Sequence, residues 1–187
     1  NHRGVSKRRN TCTPVPVVPW WSMTSLPQPR LIDRYGRFGR DLRVSVTDRC
    51  NLRCTYCMPE EGLAWLEKPG MLSDDELVRL VRVLVGLGIT AVRLTGGEPL
   101  LRRSLPDIVR RIAALEPRPT IAMTTNGIGL DRLAAPLAAA GLDRVNVSLD
   151  TVDPDHFARL TRRDRFGDVV AGLKAAERGE IDAAVIM

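Results

Sequence analysis

Aromatic side chains are scarce: three Trp, two Tyr and three Phe in 187 residues. That leaves little from which to build the stacking platforms that hold single-stranded nucleic acid. Histidine occurs twice and cysteine four times. Four cysteines are too few for a disulfide-stapled secreted scaffold, and three of them crowd into residues 50–57. No run of 18 apolar residues occurs, so a membrane span is excluded. Lysine is nearly absent, with Lys7, Lys68 and Lys174 against a total of 28 basic residues. The formal charge of +6 is unevenly placed: residues 1–40 carry eight basic and one acidic residue, residues 41–187 twenty and twenty-one. The body is therefore close to neutral, which argues against a nucleic-acid partner. A hydrophobic share of 44% with 27% charged residues is that of a folded domain.

Two domains of unequal kind are expected. Residues 1–30 read as a disordered leader, basic at first and then rich in Pro and Val. Prolines 14, 16 and 19 forbid a helix, block a central strand and interrupt the apolar stretch that a signal peptide needs. Met23 is the natural start in this reading, and a polyproline II ligand segment is the alternative. Cys12 stands alone there.

From residue 41 strands and helices alternate. Leu42–Val46, Ala91–Thr95, Thr120–Thr124, Arg144–Leu149 and Ala183–Met187 read as strands. Ser73 and Glu76 form a capping box for a helix to about Leu87, with Leu77, Leu80, Val81, Leu84 and Leu87 at helical spacing and Gly88 as its stop. Helices follow over residues 104–115 and 130–140, near Pro154 and over about 168–178. Such alternation predicts parallel strands joined by helical crossovers. The expected fold is α/β: a partial barrel truncated in or near strand five, occupying residues 31–187.

The sharpest chemical signal is CNLRCTYC over residues 50–57, in the loop after the first strand. Thiolates suit zinc or iron–sulfur ligation. Structural zinc wants four ligands, and Cys50, Cys54 and Cys57 have neither a fourth cysteine nor a histidine nearby. Three thiolates can instead hold three irons of a [4Fe–4S] cluster and leave the fourth open to an exogenous ligand. After the second strand comes Thr95-Gly-Gly-Glu-Pro99, where paired glycines allow close backbone approach and Glu98 supplies a carboxylate. Polar residues mark the ends of later strands: Thr124-Thr-Asn-Gly127 and Ser148-Leu-Asp150. Arg43 and Arg93 lie within strands, where charge is costly unless paired or turned toward a lumen. Active sites of parallel β/α proteins gather at the C-terminal strand ends, so one shared cavity is expected there.

The C-x3-C-x2-C spacing resembles the radical S-adenosylmethionine (SAM) superfamily, as does GGEP over residues 96–99. The resemblance narrows through LIDRYGR at 31–37, DLRVSVTDRCN at 41–51, CMPEEGL at 57–63, VRLTGGEPLLR at 92–102 and GLDRVNVSLD at 141–150. These are similar to the N-terminal half of the bacterial GTP 3′,8-cyclase family of molybdenum cofactor biosynthesis. The resemblance implies a lyase that cleaves SAM to a 5′-deoxyadenosyl radical. The radical removes hydrogen from ribose C3′ of GTP, and C3′ then attacks guanine C8 to give (8S)-3′,8-cyclo-7,8-dihydroguanosine 5′-triphosphate. It implies Cys50, Cys54 and Cys57 on the [4Fe–4S] cluster, and Tyr56, Gly97, Glu98 and Ser148 on SAM. It further implies Arg43, Arg93 and Thr124 on GTP, with no catalytic residue beyond the cluster. An electron donor, a homodimer of the full-length protein and a reducing cytoplasm belong to the same expectation.

The family carries a second cysteine triad near its C-terminus, with no counterpart in these 187 residues. The chain therefore reads as an N-terminal portion that is not expected to cyclise GTP alone. The family's Lys-x-Asn on strand five is also missing, since residues 180–184 read EIDAA. The alternatives are another radical SAM enzyme, acting on a peptide or small molecule, and an inert cluster-binding fragment.

Overall fold

A computed structural model describes residues 30–66, 70–179 and 181–186. The expected leader, with Cys12 and Met23, lies outside them apart from Arg30.

Five strands form one sheet in sequence order: β1 (Asp41–Ser45), β2 (Ala91–Thr95), β3 (Thr120–Thr125), β4 (Arg144–Ser148) and β5 (Asp182–Ile186). Every neighbouring pair is parallel. The crossovers are α1 (Asp74–Gly86), α2 (Leu105–Ala113), α3 (Leu130–Ala140), and then α4 (Pro154–Thr161) with α5 (Phe166–Arg178). A 3₁₀ turn, Pro99–Leu101, precedes α2. The alternation read from the sequence is thus the fold, a partial barrel that is not closed.

Side chains alternate across a strand, and the two faces of this sheet differ sharply. One face carries Val44, Val92, Leu94, Ile121, Met123, Val145 and Val147, all buried. The helices cover it with Leu77, Val78, Val81 and Val85 of α1, Leu105, Ile108 and Ile112 of α2, Leu130 and Leu137 of α3, and Val169 and Ala176 of α5. The other face is polar and largely open, with Asn146 buried and Thr124 half-buried on it. It bears Arg43, Arg93, Thr124, Asn146 and Ser148, the face that lines the lumen in closed barrels.

Local signals explain the helix ends. Ser73 caps α1, its Oγ accepting from Glu76 N while Glu76 Oε2 accepts from Ser73 N. At the other end Gly88, at φ 98°, lets Ile89 N reach Leu84 O and Gly88 N reach Val85 O, which closes a Schellman motif. Two details depart from expectation. Leu80 is exposed, and Val78 and Val85 take its place in the core. α1 is apolar on more than one side, and the sheet takes the face centred on Val78 and Val81. α5 begins at Phe166 rather than Asp168, because Asp168 serves inside the first turn and accepts from Arg165 there.

β5 pairs with β4 on one side only, and all its residues are exposed, Val185 and Ile186 among them. No described helix is long and apolar enough to cross a membrane.

Candidate active site

Because all strands run the same way, their C-terminal ends meet at one rim. The chain leaving β1 reaches this rim at Thr47 and turns into the cysteine loop. Gly96 and Gly97, leaving β2, lie flat against it. Gly97 N donates to Thr47 O at 2.7 Å, and Glu98 N to Arg49 O at 2.7 Å. A Cβ on Gly96 would fall 2.2 Å from Thr47 O, and one on Gly97 2.2 Å from Arg49 O. Gly96 also has φ 132°. The paired glycines therefore have a structural role beside any contact with a ligand, because they let two backbones touch just before Cys50.

Glu98 is 1% exposed. Its Oε1 accepts from Leu100 N at 3.0 Å and Thr125 Oγ1 at 2.6 Å, and its Oε2 from Asn126 N at 2.7 Å. Burial pushes its carboxyl above the ordinary value, against the pull of these three donors. One acceptor position on Oε2 is left over. Asn126 continues the chain of contacts, its side-chain amide donating to Asn51 Oδ1 at 2.7 Å beside Cys50. The turns after β2 and β3 are thus tied to the start of the cysteine loop.

The far side of that loop docks on the end of α4. Arg53 N donates to Thr161 O and Thr55 N to Leu160 O, both at 2.9 Å. Arg162, in the left-handed region at φ 54°, donates to the carbonyls of Arg53 and Met58. Inside the loop the Arg53 guanidinium donates to Cys50 O and Leu52 O and lies over the Trp65 ring. Cys57 N and Met58 N both donate to Cys54 O. On the loop's outer side, Tyr56 is exposed and donates its phenol to Asp150 Oδ2 at 2.6 Å, which raises the phenol's pKa.

Cys50 and Cys54 are half-buried and Cys57 is exposed. Burial raises the Cys50 and Cys54 thiols first; the charge of Glu98 and then Cys57 adds to it at Cys50, and the neighbouring cysteines add to it at Cys54. A bound cation would reverse that balance and favour thiolates. Among the described residues no three His, Cys, Asp or Glu side chains stand close enough to clasp a metal ion as they are. The donor set, three cysteines within eight residues of one loop, fits three sites of an iron–sulfur cluster. His156 is exposed at the start of α4 and brings no ligand to the loop.

The remaining expected site residues stand on the open face. Arg43 and Arg93 are register partners, both exposed, so neither carries a burial cost. Neither forms an ion pair among the described residues. Thr124 lies half-buried two residues above Ala122 on the same face, and Ser148 is exposed at the end of β4. The structure thus brings Arg43, Arg93, Thr124 and Ser148 to one face and Tyr56 to the same rim. Sequence reasoning did not find Arg53, Arg162 and Asn51 as loop supports, nor Arg102. Arg102 Nη1 reaches Val46 O at 2.6 Å, and its guanidinium also pairs with Asp74. Asp150, Thr125 and Asn126 were visible as polar strand ends, with nothing to say which partners they take.

A five-stranded parallel β/α sheet with a three-thiol loop at its C-terminal rim defines a class: partial barrels working at a thiolate-held metal centre. The sequence profile of the radical SAM superfamily matches residues 44–187, and the chain belongs to that superfamily. It is 69% identical over 147 residues to a GTP 3′,8-cyclase of Streptomyces coelicolor, covering 78% of this chain and 43% of that protein. To a GTP 3′,8-cyclase of Mycolicibacterium smegmatis it is 62% identical over 153 residues, 81% of this chain and 42% of that one. The chain thus spans less than half the length of these relatives. Among solved structures, Streptococcus suis SuiB bound to S-adenosylmethionine matches with a TM-score of 0.66 at 19% identity, over 79% of this chain and 34% of that chain. Methylornithine synthase (PylB) matches with 0.60 at 16%, over 78% and 43%. These two carry the fold alone.

Proposed function

We propose that the chain supplies the SAM- and GTP-binding portion of a GTP 3′,8-cyclase of molybdenum cofactor biosynthesis. The observation that carries the reading is the pairing of Arg43 with Arg93 on the open face, below a rim that holds all three cysteines. Two adjacent guanidiniums suit the oxygens of a triphosphate. The high identity to GTP 3′,8-cyclases supports the same choice over a radical SAM enzyme of other substrate.

Cys50, Cys54 and Cys57 would hold one [4Fe–4S] cluster. When bound, the cluster and SAM supply the one-electron chemistry that begins at ribose C3′. The chain's own residues bind and orient. Tyr56, Ser148, the Gly97 backbone and Glu98 would contact SAM, and Glu98 also holds the turns after β2 and β3 together. Thr124 meets the nucleoside while Arg43 and Arg93 hold its phosphates. A second cluster, an external electron donor, a homodimer and a reducing cytoplasmic setting belong to the whole protein in this reading.

Anaerobic reconstitution followed by EPR of the reduced protein tests the proposal. About four irons per chain, with a signal that shifts on adding SAM, is the expected result. GTP should then bind the loaded chain in preference to ATP. Zinc in place of iron, or a cluster signal indifferent to SAM, would overturn it.

A further inference from the structure

Strand register brings Arg43, Arg93, Ala122, Arg144 and Asp182 into one row across the open face. The row lines a cavity of about 430 Å³ that also takes in Asp41, Thr120 and Asp143. Three guanidiniums therefore stand at one level, and the small side chain of Ala122 leaves room between the second and third. They are not in the same state. Arg43 and Arg93 have no ion pair among the described residues, whereas Arg144 places Nε and Nη2 on Asp182 Oδ2 at 2.7 and 2.5 Å. Both side chains of that pair are more than half exposed, at 57% and 58%, so the pair is screened and easily exchanged.

Resting on the GTP reading above, we infer that Arg144 is a third phosphate-binding arginine and that Asp182 competes with the bound polyphosphate for it. Arg43 and Arg93 are one strand spacing apart, about 4.8 Å, and suffice for a single phosphate. Arg144 lies two strands further on, so only a longer polyphosphate reaches it. When it does, the guanidinium exchanges a carboxylate for phosphate oxygens, which offer more charge and a bidentate match. Asp182 is then left unpaired beside a polyanion and repels it. The carboxylate at the end of the row thus lowers affinity for a triphosphate and leaves a monophosphate untouched.

Calorimetric titration of the chain with GTP, GMP and inorganic tripolyphosphate tests this. Asp182→Asn should tighten GTP and tripolyphosphate about threefold to tenfold, and Arg144→Ala should weaken both about tenfold. GMP should change little in either variant. Both positions are exposed, so unchanged melting temperatures will show that the fold is intact. GTP affinity indifferent to both substitutions, or GMP affected as much as GTP, would overturn the inference while the GTP reading stands. Tripolyphosphate bound with this dependence but GTP not bound would keep the arginine row and overturn the guanosine assignment. Neither bound by the unaltered chain would overturn both.

Discussion

The phenol of Tyr56 donates a 2.6 Å hydrogen bond to Asp150 Oδ2 and so ties the cysteine loop to the end of β4. Tyr56 is the residue before Cys57, so this contact spans the rim between the first and fourth strands. Tyr56→Phe removes the donor and leaves the ring. A hydrogen bond to a charged acceptor contributes about 1.5–3 kcal/mol, less at an exposed site. Amides of residues 55–58 should then exchange with solvent about tenfold faster, with no change in global melting. Unaltered exchange would show that the backbone bonds to α4 hold the loop unaided.

Gly97 offers a second test of what holds the loop. Its added Cβ would meet Arg49 O at 2.2 Å and Asp48 O at 2.5 Å. These are backbone atoms and cannot step aside as a side chain can. Gly97→Ala should therefore cost about 1–3 kcal/mol in chemical denaturation, through displacement of the chain entering Cys50. Iron uptake should fall in the same variant. A variant as stable as the parent but deficient in SAM binding would mean that the glycine serves ligand approach alone.

How far such contacts could be read from the sequence depends on their range. Periodicity and local caps are short-range, and they placed every strand and α-helix within a few residues. The box at Ser73 and Glu76 and the stop at Gly88 were legible because their partners lie within six residues. The motif residues were legible by type, as were the polar strand ends. Partner choice was not. Thr125 donating to Glu98 joins residues 27 apart, and Tyr56 with Asp150 joins residues 94 apart. Nothing in the local pattern sets those distances; the parallel register does. Arg102 stayed hidden for the same reason, because its acceptors come from the end of β1 and the start of α1.

The pairing of Arg102 with Asp74 predicts a pH dependence. Burial pushes the Asp74 carboxyl up, but hydrogen bonds from Arg102 and Ser104, with the charges of Arg102 and Arg111, outweigh it and hold the carboxyl below its ordinary value. A carboxyl lower in the folded than in the unfolded chain adds stability above its unfolded pKa of about 3.9. That stability is lost as pH falls through the folded value. Asp74→Asn should cost about 1 kcal/mol near neutral pH. The gap to the parent should narrow as denaturation is repeated at pH below about 4. A gap constant with pH would show that the ion pair contributes nothing.

Glu98 is where a rim contact and a ligand role can be separated. Its three donors include two backbone N–H groups, Leu100 and Asn126, one on each carboxylate oxygen. Glu98→Gln must aim an NH₂ at one of them, whichever way the amide is turned. A buried backbone donor then loses its acceptor, at about 1–3 kcal/mol. Relief of the buried charge offsets part of that, since burial is what raises this carboxyl. Thr125→Val removes both the hydroxyl donor to Glu98 and the acceptor of Gly127 N, and should likewise cost about 1–3 kcal/mol. Both variants should therefore be less stable than the parent in urea, before any SAM or metal is added. If Glu98→Gln instead melts with the parent and loses only SAM affinity, the carboxylate leaves its buried partners to meet the ligand, and the rim is held by the glycines and Asn126 alone.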